Sequence, residues 1–157
     1  MSGINYLLDT NFVLGLLKAT PELVAVVSSR GLIASNCAYS AVTRMELLGY
    51  SGLTAQEVQL ISNRLSMFMY LPITSAIEDV AIAIRRSRKV KLPDAIIAST
   101  AHHHNLELLT LDKTLRSLVS AIQIQGNDDL DTLMSGVNDE NLHDGVSFGS
   151  PVGKEDL

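Results

Sequence analysis

Apolar positions along this chain fall into short runs that alternate with longer, helix-length stretches. The run from Ile4 to Leu8 ends at Asp9, and Phe12-Val13-Leu14-Gly15-Leu16-Leu17 is long enough to begin a buried helix, so a strand leads into a helix. Thr20-Pro21 restarts a helix that runs through Val27 to Gly31, and Leu32 to Ala34 reads as a second strand. Ser40 caps a helix to about Tyr50, in which Ala41, Met45 and Leu48 share the buried face and Glu46 lies on its flank. Thr54 with Glu57, and Ser75 with Glu78, have capping-box spacing and open two further helices. Between them Met69 to Ile73 reads as a strand that Pro72 brings to an end. Pro93-Asp94 opens a helix from Ala95 to about His104, closed by His or Asn105 chemistry. Leu108 to Thr110 is a strand, Thr114 to Val119 a short helix and Ala121 to Ile124 a last strand. Strands and helices alternating at this spacing predict an α/β fold, a parallel sheet with helices on both faces. Ligands of such sheets bind beyond the carboxyl ends of the strands.

Composition narrows the class. At 157 residues and 46% hydrophobic content the chain is the size of one globular domain. Its one cysteine, Cys37, cannot form an internal disulfide, so a reducing cytoplasm is the expected location and core packing the expected role. No Lys or Arg precedes Lys18 and Asp9 interrupts the first apolar run, which does not read as a signal peptide. No apolar run approaches the roughly 18 residues of a membrane span, so no membrane partner is expected. Charge divides the chain: residues 1–126 hold eleven Lys and Arg against nine Asp and Glu, and residues 127–157 hold one against eight. The expected organisation is a domain over 1–126 and an acidic, flexible tail over 127–157, with a short turn of helix at Leu130 to Met134.

Four carboxylates interrupt apolar surroundings: Asp9 in Leu7-Leu8-Asp9-Thr10-Asn11, Glu46 in Met45-Glu46-Leu47, Asp94 in Leu92-Pro93-Asp94-Ala95-Ile96-Ile97-Ala98, and Asp112 in Leu108-Leu109-Thr110-Leu111-Asp112. An acid among core-type residues is desolvated unless something compensates it, and a group of them is most simply compensated by a divalent cation. Asp9 and Asp112 follow strands and Asp94 opens a helix, so these three can face one crevice, whereas Glu46 depends on tertiary packing to reach it. Mg²⁺ or Mn²⁺ takes such hard oxygen ligands and leaves positions for phosphate oxygens, which points to metal-assisted hydrolysis of a phosphodiester. Each acid alone has a plainer explanation. Asp94 suits the helix macrodipole, Asp9 and Asp112 suit helix caps, and a lone helical Glu is usually solvated.

Taken in this order, the motifs resemble those of the PIN-domain nucleases, most closely the VapC-type toxins of bacterial toxin–antitoxin modules, over roughly residues 4 to 125. The resemblance implies a three-layer α/β/α sandwich with a central parallel sheet, and a Mg²⁺- or Mn²⁺-dependent endoribonuclease. It implies a homodimer, an RNA substrate and a partner antitoxin that blocks the site. Asp9, Glu46, Asp94 and Asp112 match the acidic quartet, Thr10 and Asn11 follow the first acid as in the family and are expected to meet substrate, and Thr110 matches the hydroxyl residue before the fourth. Two departures stand out: Leu115 occupies the position where many relatives carry a further acid, and the stretch after Gly126 exceeds the family pattern.

Arg85, Arg86, Arg88, Lys89 and Lys91 precede the Asp94 motif and suit RNA phosphates, though cations at a helix carboxyl end have the same charge logic. His102-His103-His104 does not read as a metal site, because consecutive helical side chains diverge by about 100°. The four Tyr and three Phe are too scattered for a base-stacking platform. A phosphoacceptor receiver domain would need an adjacent acid pair where Leu7-Leu8 precede Asp9, and a haloacid-dehalogenase-like phosphatase would need Asp where Asn11 stands. The remaining alternative is a non-catalytic PIN-like module that binds protein or RNA.

Overall fold

The computed structural model describes residues 3–122. The expected tail over 127–157, its turn at Leu130 to Met134 and the end of the expected last strand at residues 123 and 124 lie outside them. The described elements are, in order, β1 (Tyr6–Leu8), α1 (Thr10–Lys18), α2 (Pro21–Arg30), a 3₁₀ turn (Ala34–Asn36), β2 (Cys37–Ser40), α3 (Ala41–Leu48), α4 (Ala55–Leu65), β3 (Met69–Leu71), α5 (Ser75–Ser87), α6 (Leu92–His103) and β4 (Glu107–Leu109). A last helix, α7, covers 113–122. The four strands are parallel in the order β3-β2-β1-β4, with Leu8 opposite both Tyr39 and Leu109.

Alternation along the strands sorts the core into two layers. Leu7, Ala38 and Leu108 face Ala81, Ile84, Ala95 and Ile122 from α5, α6 and α7. Leu8, Tyr39 and Leu109 face Phe12, Leu23, Leu47 and Ile61 from α1 to α4. Helices thus cover both faces of a parallel sheet, giving the expected α/β/α sandwich. Between α1 and α2 the fit depends on Gly15, where an added Cβ would sit 2.8 Å from Leu23 Cγ. Tyr39 and Tyr70 occupy paired positions of β2 and β3 with ring centroids 5.4 Å apart, so these aromatics serve the sheet.

Local signals place most helix starts. Thr54 and Glu57 form both capping-box bonds, at 3.1 and 2.9 Å, and Ser40 Oγ accepts from the Thr43 N–H. The helix opening near Ser75 is capped instead by Thr74, whose Oγ1 accepts from the Ile77 N–H. Ser75 is already its first helical residue. The second strand is not Leu32 to Ala34 but β2: Gly31 ends α2 with φ +62°, the chain makes its 3₁₀ turn, and Cys37 to Ser40 pair with strands on both sides. Being central, β2 is buried at all four positions and lacks the alternation that marks a half-exposed strand. Two other expectations change. The face of α3 is Ala41, Val42, Thr43 and Leu47, with Met45 exposed, because this helix packs on both α1 and α4. Residues 121 and 122, expected to start a strand, continue α7, where Ile122 is buried. No single described helix is long and apolar enough to cross a membrane.

Candidate active site

The chain leaves β1 toward β2 on one side, while β4 lies on the other, so the topological switch point of the sheet falls at the carboxyl ends of β1 and β4. Asp9 and Thr110 emerge there as the next residues after the paired Leu8 and Leu109. Asp9 is 4% exposed and caps α1, its Oδ1 accepting the Phe12 N–H at 2.7 Å. Its Oδ2 accepts from the buried Thr110 hydroxyl. That same hydroxyl oxygen accepts the Asp112 N–H at 3.0 Å, and Arg116 Nη2 donates to the Thr110 carbonyl at 2.5 Å. Asp112 in turn caps α7, with Oδ1 accepting from the Thr114 N–H at 2.9 Å and the Leu115 N–H at 3.3 Å. Both strand-end acids therefore do serve as helix caps.

Glu46 arrives by tertiary packing. α3 lies against α1, and the Thr10 hydroxyl donates to Glu46 Oε1 at 2.6 Å across 36 residues of sequence. The fully buried Thr43 hydroxyl is 3.1 Å from that of Thr10, so two threonines steady the link. Thr10, expected to meet substrate, thus spends its proton on Glu46. Asn11 is exposed on the first turn of α1. Asp94 is the third residue of α6, half-buried, with Lys91 at the cap position.

The acids lie in one another's fields. Burial pushes the Asp9 carboxyl above its ordinary 3.8, the hydrogen bonds from Thr110 and Phe12 oppose this, and the charges of Asp112 and Asp94 add to the rise. Asp94 is likewise raised, first by burial, then by Asp112 and Glu46, with Lys91 opposing. Among the described residues, no three Asp, Glu, His or Cys side chains converge closely enough to hold an ion as a set. A Mg²⁺-type ion keeps several waters and needs only one or two direct carboxylates. The donor set fits that mode: hard oxygens only, mutually repelled, with a lone pair free on each Asp9 oxygen beyond the hydrogen bond it accepts.

The cations form a separate feature. Arg85 and Arg86 end α5, and Arg88, Lys89 and Lys91 follow in the α5–α6 connection, where Lys91 is near enough to act on Asp94. His102 and His103 end α6, the His103 and His104 rings meet edge to face at 4.8 Å, and burial lowers His102 and His104 below the ordinary imidazole value. Neither Thr43 nor Arg116 stood out in the sequence. Their signal was helical spacing: Thr43 is three residues before Glu46, and Arg116 four after Asp112.

A PIN domain is matched over residues 6–119, from β1 into α7, a stretch that includes all four acids. The chain belongs to the PIN-domain family. Its motif resemblance to the PIN-domain nucleases is borne out, and so is the sandwich fold that it implied. Among solved structures, this PIN domain is similar to a toxin–antitoxin complex from Klebsiella pneumoniae, with 31% identity, a TM-score of 0.61, and 69% of this chain and 88% of that one covered. FitAcB from Neisseria gonorrhoeae is 27% identical, with a TM-score of 0.59 over 73% of this chain and 93% of that one. VapBC-1 from nontypeable Haemophilus influenzae, at 23% identity, shares the fold with a TM-score of 0.61 over 76% and 96%. No curated protein sequence matches the chain.

Proposed function

We propose that this PIN domain is a divalent-metal-dependent endoribonuclease, the toxin of a toxin–antitoxin pair, acting on RNA in the cytoplasm. The observation that carries the reading is Asp9: an acid 4% exposed, at the switch point of the sheet, whose charge is opposed by burial and by two neighbouring acids. A folded protein keeps such an arrangement where a cation relieves it. Asp9 and Asp94 would hold Mg²⁺ or Mn²⁺ directly, with Glu46 and Asp112 acting directly or through water. When bound, the ion supplies charge neutralisation at the phosphate and a lowered pKa for attacking water.

The chain's own residues set the geometry. The Thr110 hydroxyl fixes Asp9 Oδ2 and ties it to the Asp112 backbone, and Arg116 holds the Thr110 carbonyl. Thr10 holds Glu46 Oε1 through its hydroxyl, the exposed Asn11 would meet RNA, and Arg85, Arg86, Arg88 and Lys89 would bind the RNA backbone next to the Asp94 motif. The likeness to the Klebsiella pneumoniae complex supports an antitoxin as partner. A homodimer is supported by Met67, Met69 and Tyr70, 57%, 50% and 42% exposed at and before the edge strand β3.

The test is cleavage of labelled single-stranded RNA with Mn²⁺. Wild type should cut, while EDTA, Asp9→Asn and Asp94→Asn should each stop it without loss of fold; full activity in EDTA or in Asp94→Asn overturns the proposal. One observation favours a second reading, a non-catalytic module binding protein or RNA: the described acids do not converge as a ready-made trio. Mn²⁺ titration separates the two, because a competent site gains about 2.7 kcal/mol of stability at a hundred times its Kd and a binding-only module gains none.

A further inference from the structure

Where α5 runs into α6, a groove of about 870 Å³ opens on the surface. Arg85, Arg86, Arg88, Lys89 and Lys91 line it against a single acid, Glu78, among the described residues. Its other wall is apolar: Ile73, Ile82, Leu92 and Ile96, with Ile82 50% and Leu92 49% exposed. A surface that is both cationic and apolar fits an extended chain with acids and aliphatic side chains in close succession. A bare phosphate backbone uses only the first of these properties.

This chain carries such a segment. Residues 127–157 hold eight acids and one Lys, and near their start stands Asp128-Asp129-Leu130-Asp131-Thr132-Leu133-Met134. The segment follows α7, which packs in the same core layer as α5 and α6. Ile122, the last described residue of α7, packs in the same core layer as Ala81, which lines the groove, and Ile96 of the groove packs against that layer. Residues 123–128 can span up to about 20 Å when extended.

We infer that the α5–α6 groove is the docking site of the chain's own acidic segment, led by Asp128, Asp129 and Asp131, with Leu130, Leu133 and Met134 against its apolar wall. A tether this short gives an effective concentration in the millimolar range, at which even a weak interaction keeps the groove filled. The consequence for RNA rests on the function proposed above: the segment competes with RNA phosphates for the same cations and acts as a salt-sensitive brake.

The test uses the dilute full-length protein at low salt with a carbodiimide, which couples carboxylates to lysine amines only where the two groups touch. Peptide mapping should find Lys89 or Lys91 joined to Asp128, Asp129 or Asp131 within one chain. The product should vanish in about 0.5 M salt, where the screening length falls to a few ångströms, and in the D128N/D129N/D131N variant. No coupling at low salt overturns the inference, as does coupling spread evenly over Lys18, Lys89, Lys91 and Lys113. Coupling between differently isotope-labelled chains also overturns it, since the occupant is then a second copy. The same triple variant should bind fluorescent single-stranded RNA about threefold or more tightly at low salt, with the gain fading as salt rises. Coupling without any change in RNA affinity upholds the docking and overturns the assignment of the groove to RNA.

Discussion

The acidic crevice and the cationic groove are both concentrations of like charge, only a few residues apart at Lys91 and Asp94, yet their physics differs. In the groove Arg85, Arg86 and Lys89 are exposed, so water and salt screen their repulsion at little cost to the fold. In the crevice Asp9 is almost fully buried, Asp94 is half-buried, and the carboxyls of both are pushed up by burial and by their neighbours. Like charge on a surface is compatible with simple solubility. Like charge held in a low-dielectric crevice by hydrogen bonds from Phe12 and Thr110 calls for a counter-charge, and that difference makes the crevice the stronger pointer to chemistry.

The contrast breaks most visibly if a crevice acid proves dispensable. Asp9→Asn and Asp94→Asn should each lower RNA cleavage by more than the roughly 10–100-fold that loss of a supporting residue costs a metal site. Circular dichroism of both variants should remain that of the wild type. One step out, Thr110→Val removes the hydroxyl that donates to Asp9 and accepts from the Asp112 N–H. That variant should lose about 10–100-fold in cleavage and about 1–3 kcal/mol in urea unfolding, because the buried Asp9 carboxylate loses a donor and the partly buried Asp112 N–H its acceptor. Unchanged activity and midpoint would show that Asp9 needs no such support.

The groove answers to salt instead. In the triple variant R85A/R86A/K89A, the slope of log K against log salt for single-stranded RNA should fall by about 0.7 for each phosphate that is no longer neutralised. Stabilisation by Mn²⁺ should be unchanged, and an identical slope would remove the groove from RNA binding. The smallest effect concerns pH in the absence of metal. With a folded pKa above the unfolded 3.8, Asp9 binds its proton more tightly in the native state. Its relative contribution to stability is therefore fully present below 3.8 and lost as pH rises through the folded value. Asp9→Asn, which cannot ionise, should gain in Tm relative to wild type as pH climbs through that window, with Mn²⁺ erasing the difference at neutral pH. A gap that does not vary with pH would mean that the charge of Asp9 costs the fold nothing.

Much of this protein is written in local signals. Asp9 directly after an apolar run, Asp94 in the first turn of a Pro-started helix, the Thr54–Glu57 box and the Ser40 cap each depend on neighbours within about four residues, and the structure forms all of them. Their order along the chain sufficed to point to the family. What sequence left open depends on distant partners. β2 lies at Cys37–Ser40 because strands on both sides bury it, which erases alternation. The exposed Met45 and buried Thr43 follow from α3 meeting α1 and α4 together, a choice an eight-residue helix does not announce. Glu46 is linked to the Asp9 end of α1 through Thr10, 36 residues away, and Asp9 meets Thr110 across 101. Residue type and local spacing decided which groups have the chemistry; the pairing of β1 with β4 and the packing of α3 on α1 decided which of them meet, because hydrogen bonds and desolvation act through space and not along the chain.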